Sequence, residues 1–432
     1  MSVLSDLQSA RKLIGNAIRS RATRRELAAH PPKAPKKGSI QVVVYFADTK
    51  VNLYQVRQWY APLAELAGTR PVAILTRSPG ATLAIAEESP IPVVYCRAVT
   101  DVEEFIDEQD VRIVLYVNQN AKNFQMFRYG RMWHVFINHG ESDKMYMTTN
   151  QFKAYDYAFV AGDAAIDRLR RKLWDFDLEK KAIAIGRPQT DHLSGVLPYT
   201  PDERLTVLYA PTWEGDRPAA EYGSVLTHGV ALAEALLASP AHRLIYRPHP
   251  RSGVVEPAYG EANRRIIAAI AAANAADPGA QHVYDDGPAL GWQLAAADVA
   301  ITDVSAMVYD RLATGKPIVV TRPVSPDAEL DLEGYLGSAE WLDAAAASDV
   351  ATVLQRALND PDARATLALW AERHFGDITP GAATVRFHAA IEQLMASWDR
   401  FAAEHAGDPD ANDADDDELD DDEDPEGMPA RD

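Results

Sequence analysis

The chain has a single cysteine, Cys96, among 432 residues. One thiol excludes an intramolecular disulfide and any thiolate-rich metal site, and it fits a reducing compartment. Cys96 follows the apolar run Val93-Val94-Tyr95, so it reads as core rather than as a nucleophile. No stretch approaches the roughly 20 uninterrupted apolar residues of a membrane-spanning helix. The N-terminus shows no apolar block followed by a small-residue cleavage site, so no secretory signal is expected. Internal repeats, a Gly-x-x-x-x-Gly-Lys phosphate loop and a Gly-x-Gly-x-x-Gly dinucleotide fingerprint are also missing. The body of the chain holds no clustered carboxylates that demand a divalent cation, so neither metal nor cofactor is expected. It also lacks a basic cluster interleaved with aromatics, which disfavours nucleic acid as a partner.

What is present begins with an uneven charge. The formal net charge is −20, but residues 408–432 alone carry fourteen Asp and Glu against one Arg. Such a tail (residues 406–432) buries too little apolar surface to fold and is expected to be a solvated appendage. The opposite end, residues 1–38, is basic: Arg11, Lys12, Arg19, Arg21, Arg24, Arg25, Lys33, Lys36 and Lys37 stand against Asp6 and Glu26. Leu4, Leu7, Ile14 and Ile18 add an apolar stripe at helical spacing. A basic amphipathic helix of this kind suits an anionic membrane surface; a solvated arm or a helix packed on the body is the competing reading.

Between these ends, short β-rich runs alternate with helical segments. Val42 to Phe46, Val72 to Leu75, Val93 to Tyr95, Ile113 to Val117, Val135 to Ile137, Ala158 to Val160 and Ile183 to Ile185 read as strands of a first domain, residues 39–197. After the polar joint Pro198-Tyr199-Thr200-Pro201-Asp202 the alternation restarts. Val207 to Tyr209, Leu244 to Tyr246, Val283-Tyr284, Val299 to Ile301 and Ile318 to Val320 then define a second domain, residues 198–405. Strand–helix alternation predicts parallel sheets covered on both faces. The expected class is therefore α/β: two doubly wound, Rossmann-type domains facing a central cleft at the strand carboxyl ends.

Polar clusters fall just after four of these strands. They are Asn138-His139-Gly140-Glu141-Ser142-Asp143-Lys144, Pro211-Thr212-Trp213-Glu214-Gly215-Asp216-Arg217, Arg247-Pro248-His249-Pro250-Arg251 and Thr302-Asp303-Val304-Ser305. The last opens a helical pattern through Met307, Val308 and Leu312, with Gly315 as a stop. A helix starting at the end of a buried strand aims free N–H groups and its positive dipole end at one spot, which suits a phosphate; Asp303 and Ser305 can equally be simple caps. Imidazole is the side chain best able to take a hydroxyl proton near neutral pH. A strand-end histidine in each half, His139 and His249, is what a two-sided cleft would use.

The four clusters, in this order and spacing, resemble the CDP-glycerol glycerophosphotransferases of teichoic acid synthesis, over roughly residues 130–390. That resemblance implies a GT-B-type fold. It also implies a membrane-associated enzyme at the cytoplasmic face, moving glycerol phosphate from CDP-glycerol or a related CDP-polyol to an acceptor hydroxyl and releasing CMP. The implied acceptor is a lipid-linked saccharide or a growing polymer. Carried over by position, His139 would deprotonate the acceptor and His249 would stabilise the departing CMP. Gly140, Lys144, Thr212, Arg247, Arg251, Asp303, Ser305 and Asp310 would line the substrate site. The segment Asp377-Ile378-Thr379-Pro380-Gly381 with Arg386 resembles, in stretched form, the family's C-terminal donor-pocket element, which would add Gly381 and Arg386. Two departures stand out: Ala306 replaces the second of the family's paired serines, and Glu141-Ser142-Asp143 follows His139-Gly140. A nucleotide-sugar glycosyltransferase of the same architecture and a degenerate, non-catalytic nucleotide-binding protein are the competing readings.

Overall fold

A computed structural model describes residues 21–141, 149–193, 195–215, 217–287 and 290–406. The first sheet has seven strands: β1 (Val42–Phe46), β2 (Val72–Thr76), β3 (Val93–Tyr95), β4 (Ile113–Tyr116), β5 (Trp133–Phe136), β6 (Tyr157–Val160) and β7 (Ala182–Ala184). Their order is β3-β2-β1-β4-β5-β6-β7 and every pairing is parallel. The second sheet has six: β8 (Leu205–Ala210), β9 (His242–Tyr246), β10 (Val283–Tyr284), β11 (Val299–Thr302), β12 (Ile318–Thr321) and β13 (Glu340–Leu342). Its order is β10-β9-β8-β11-β12-β13, again wholly parallel. The expected α/β class with two doubly wound sheets is what the chain adopts. All twelve predicted strands form; β13, short and only partly buried, has no counterpart in the sequence reading.

Both sheets are buried on two faces, which is why their strands read as continuous apolar runs rather than alternating ones. In β1, Val42, Val44 and Phe46 join one core while Val43 and Tyr45 join the opposite one. Cys96 is buried in that second core, and burial pushes its thiol up to about 12, so it is chemically quiet as expected. The second sheet packs Val207, Val299 and Ile301 against the helices over 230–237, 257–276 and 350–359.

The last helix, Ala382–Glu404, departs from the expected partition. Its Phe387, Ile391, Leu394 and Met395 pack into the first sheet's core with Trp59, Val135 and Phe159. The Trp133 indole N–H donates to the Leu394 carbonyl. The expectation that all of 198–405 belongs with the second sheet is therefore corrected for this helix. Its amphipathic pattern shows one apolar face but not which sheet receives it. Asp191 fixes the crossover by accepting from the Gly381 and Thr384 N–H groups (3.0 and 2.7 Å) at the helix start. Beside it, Gly162 lies so close to the second lobe that a Cβ there would sit 2.6 Å from the His374 carbonyl oxygen. Among the described residues no helix is long and apolar enough to cross a membrane. The basic segment up to Ser20, Ser142 to Lys144 and the acidic tail beyond 406 lie outside the described residues.

Candidate functional site

His139 follows β5, where the chain must leave the sheet abruptly. Asn138 supplies the turn in the left-handed region (φ 55°), which asparagine tolerates better than most residues. Its side chain accepts from the His139 N–H (2.8 Å) and donates to the Gly140 carbonyl (2.6 Å). The Trp59 indole N–H pins the Asn138 carbonyl from below. The imidazole is thus held by its own loop, and the Tyr54 ring packs edge-on against it at 5.7 Å. Its Nδ1 lies 3.0 Å from the Val117 carbonyl oxygen. A carbonyl only accepts, so Nδ1 carries the proton and Nε2 offers a lone pair. Burial holds this histidine below its usual range; the Val117 bond opposes that and the Arg187 guanidinium reinforces it. The ring is therefore neutral at pH 7, the state a general base needs.

The second sheet places three loops side by side, because β9, β8 and β11 are neighbours. This is the point where strand order reverses, the usual ligand crevice of a wound sheet. His249 accepts the Arg251 N–H at its Nδ1 (3.1 Å), which puts the neutral ring's proton on Nε2. The two histidines therefore hold opposite tautomers: His139 presents a base at Nε2 and His249 a donor. Glu214 locks the His249 loop by accepting from the N–H groups of Gly253, Val255 and Glu256 at 2.8–3.0 Å. Burial pushes that carboxyl up, but the backbone donors outweigh it and leave it below its ordinary value. Arg251 lies over the Trp213 ring at 4.0 Å, and Arg247 is ion-paired with Asp285. Ser305 caps the helix Ala306–Leu312, accepting from the Met307 N–H at 3.3 Å.

Several expected contacts belong to the scaffold instead. Asp303 is fully buried. Its Oδ2 accepts from the Thr212 and Ser224 N–H groups (2.8 and 3.0 Å) and its Oδ1 from the Thr321 hydroxyl (2.6 Å). The carboxylate therefore staples the loops after β8 and β11 to the end of β12. Thr212 is held by its backbone N–H in this staple. Arg386 donates to the Phe375 and Asp377 carbonyls (both 2.9 Å), and Gly381 bonds to Asp191; both serve the crossover rather than a donor pocket. Asp310 is buried in an ion pair with Arg187. Lys144 lies outside the described residues.

Sequence reasoning missed Arg187. It follows β7 in Gly186-Arg187-Pro188, and the strand-end rule that found the other clusters applies to it equally. Its Nη1 lies 3.8 Å from where a Cβ on Gly140 would stand, and its other nitrogen pairs with Asp310. One side chain thereby pairs with the helix that Ser305 caps and lies beside the His139 loop, whose Gly140 lines a cavity with it. This small cavity of about 50 Å³ is lined by Asn138, Gly140, Glu141, Arg168 and Arg187 among others. Glu141, which the sequence places in the first polar cluster, forms a buried ion pair at its wall with Arg168.

Residues 137–327 match the family of CDP-glycerol:poly(glycerophosphate) glycerophosphotransferases. The match takes in all four motif clusters and bears out the resemblance they carry, and with it the reading of the chain as a CDP-glycerol glycerophosphotransferase-like enzyme. Among solved structures, the wall teichoic acid polymerase TagF, also determined after soaking with CDPG, aligns over 92% of this chain and 99% of its own, with a TM-score of 0.52 and 12% identity. The S. aureus MnaA–UDP structure aligns over 83% of this chain and 97% of its own, with a TM-score of 0.53 and 12% identity. At these identities the likeness is one of fold, and it is the GT-B-like arrangement of two wound domains. No curated protein matches in sequence.

Proposed function

We propose that this chain transfers glycerol phosphate from CDP-glycerol to an acceptor hydroxyl and releases CMP. The single observation that carries the reading is the pair of Nδ1 contacts, the Val117 carbonyl at His139 and the Arg251 N–H at His249, which assign the two rings opposite tautomers. The acceptor hydroxyl gives its proton to Nε2 of His139 as its oxygen attacks the phosphorus that bears glycerol. The bond from that phosphorus to the oxygen bridging to CMP breaks, and CMP departs with the electron pair. The N–H of His249, with Arg251 beside it, neutralises charge on the leaving group, and the proton on His139 passes to solvent. Phosphoryl transfer asks for positioning and neutralisation more than covalent help, and these residues supply both.

In this reading Thr212 and Ser305 meet the diphosphate at the mouth of the β8/β11 crevice. Gly140 leaves room for the acceptor beside His139. The acceptor is a lipid-linked saccharide or a growing poly(polyol phosphate). The basic residues between Arg11 and Lys37 would hold the enzyme at the inner face of the membrane where that acceptor lies.

The test is to incubate the purified protein with lipid acceptor and CDP-glycerol, CDP-ribitol or UDP-sugars, and to identify the nucleotide released. CMP from a CDP-polyol, lost in His139→Ala, supports the transfer. UDP from a UDP-sugar overturns it in favour of a glycosyltransferase.

A further inference from the structure

Arg187 is buried, and three separate parts of the molecule lie around it. It reaches the Gly140 side of the His139 loop, donates to Gln58 Oε1 at 3.3 Å and pairs with Asp310 on the helix Ala306–Leu312. The backbone that carries it is clamped. Ile185 and Gly186 donate to the Val160 and Ala161 carbonyls (both 2.9 Å). Gly186 takes a left-handed φ of 75°, and a Cβ there would crowd Ala383 and the Phe375 carbonyl at 3.0 and 3.1 Å. A guanidinium on so fixed a stem acts as a stationary charge rather than a searching one.

We infer that Arg187 is a positioning residue for the proposed transfer: it couples the His139 loop of the first lobe to the Ser305-capped helix of the second and keeps a fixed cation beside the base. The inference rests on the reading of His139 as the acceptor-activating base. Two consequences follow from one side chain. The lobes meet through a buried ion pair, so the acceptor side and the donor side are held in a common frame. The base also feels a positive charge that disfavours its imidazolium, in the same direction as its burial.

Among the described residues, Arg187 is the charged group that acts on His139. From the helix Leu53–Arg57 comes the neutral Tyr54 ring, and from the end of β4 the Val117 carbonyl. On its own loop Glu141 is engaged by Arg168. From the second lobe Asp310 stands behind Arg187 and partly offsets it. The offset gives a sign test. Removing the cation must raise the titration midpoint of His139, whereas removing the anion behind it must lower it further. Loss of a purely structural tie would move neither in opposite directions.

The experiment follows the His139 imidazole by NMR titration in the full chain, without substrate, alongside the pH profile of CMP release from CDP-glycerol. Arg187→Gln is expected to raise the midpoint by about 0.5–1 pH unit and Asp310→Asn to lower it by a smaller amount. Arg187→Lys keeps the charge and holds the midpoint close to wild type, while kcat falls about tenfold or more because the forked pairing is lost. The double variant Arg187→Gln/Asp310→Asn buries no lone charge, so it guards against misfolding; its midpoint is expected above wild type. Equal midpoints in all variants, or shifts of the two single variants in the same direction, overturn the inference. The titration needs no donor. Failure of wild type to release CMP would therefore strike the transfer reading, whereas a failed titration pattern with CMP still released would strike the Arg187 inference alone.

Discussion

Replacing Asp303 separates a scaffold residue from a ligand contact. Asp303→Ala strips the acceptor from the half-buried Thr212 N–H, the buried Ser224 N–H and the buried Thr321 hydroxyl. Each buried donor left unmet costs about 1–3 kcal/mol. The hydroxyl can turn elsewhere, so the sum is about 3–5 kcal/mol, a large part of the roughly 5–15 kcal/mol that holds a domain together. Asp303→Asn can keep most of the staple: its amide oxygen takes the two N–H groups, and its NH₂ donates to a Thr321 hydroxyl that now accepts. Its cost should stay below about 2 kcal/mol.

A pH dependence adds a second arm. Burial pushes the Asp303 carboxyl up to about 6, with the hydrogen bonds from Ser224, Thr321 and Thr212 pulling the other way. An acid whose folded value lies above its unfolded value binds its proton more tightly when folded. It therefore takes stability away as pH rises from about 4 to about 6, to the extent of roughly 3 kcal/mol. Asn cannot titrate, so the deficit of Asp303→Asn should shrink over that window and vanish or reverse by pH 7. Urea unfolding followed by circular dichroism at pH 4 and pH 7, with CDP binding by calorimetry, reads both arms. An Ala variant as stable as wild type that no longer binds CDP would refute the reasoning and return Asp303 to the ligand.

His139→Gln should lower kcat for CMP release by about a hundredfold or more with little change in KM, since a general base contributes chiefly to the transition state. Because burial holds His139 below its usual range, the acid limb of the wild-type profile should fall below pH 6.5, and a limb above that value would contradict the assignment. His249→Ala should reduce kcat more than donor affinity, whereas an equal loss in CDP binding would make His249 a ground-state contact. Gly186→Ala forces a side chain into the left-handed region against the last helix, and a loss of about 1–3 kcal/mol in urea unfolding is expected. Deletion of residues 1–38 should abolish flotation with anionic liposomes; unchanged flotation would remove the basic segment as anchor.

Both sheets were legible because their strands are buried on two faces and so spell Val42-Val43-Val44-Tyr45-Phe46 or Val299-Ala300-Ile301 without interruption. β13 was not, since Glu340-Trp341-Leu342 lies at a sheet edge and needs little apolar content. The strand-end clusters marked the carboxyl edges correctly, because polar residues must gather where a buried strand emerges. What sequence could not say was which of those residues face outward. Asp303 and Ser305 look alike in the string, yet one carboxylate is consumed by three donors from distant loops and the other side chain caps its own helix. Arg187 was hidden for a related reason: its partners, Gly140 and Asp310, lie 47 residues before it and 123 after it. Arg386 shows the same limit: a motif resemblance carries its position but not the Phe375 and Asp377 carbonyls to which it donates.

The most direct measurement is a crystal structure of the full chain with CDP-glycerol bound. The account predicts the diphosphate at the mouth of the β8/β11 crevice, with His249 Nε2 within hydrogen-bond reach of it. His139 Nε2 should face the glycerol-bearing phosphorus across a gap one acceptor oxygen can fill, about 3–3.5 Å from the attacking atom. A diphosphate bound with the two imidazoles opening into unconnected spaces would contradict it.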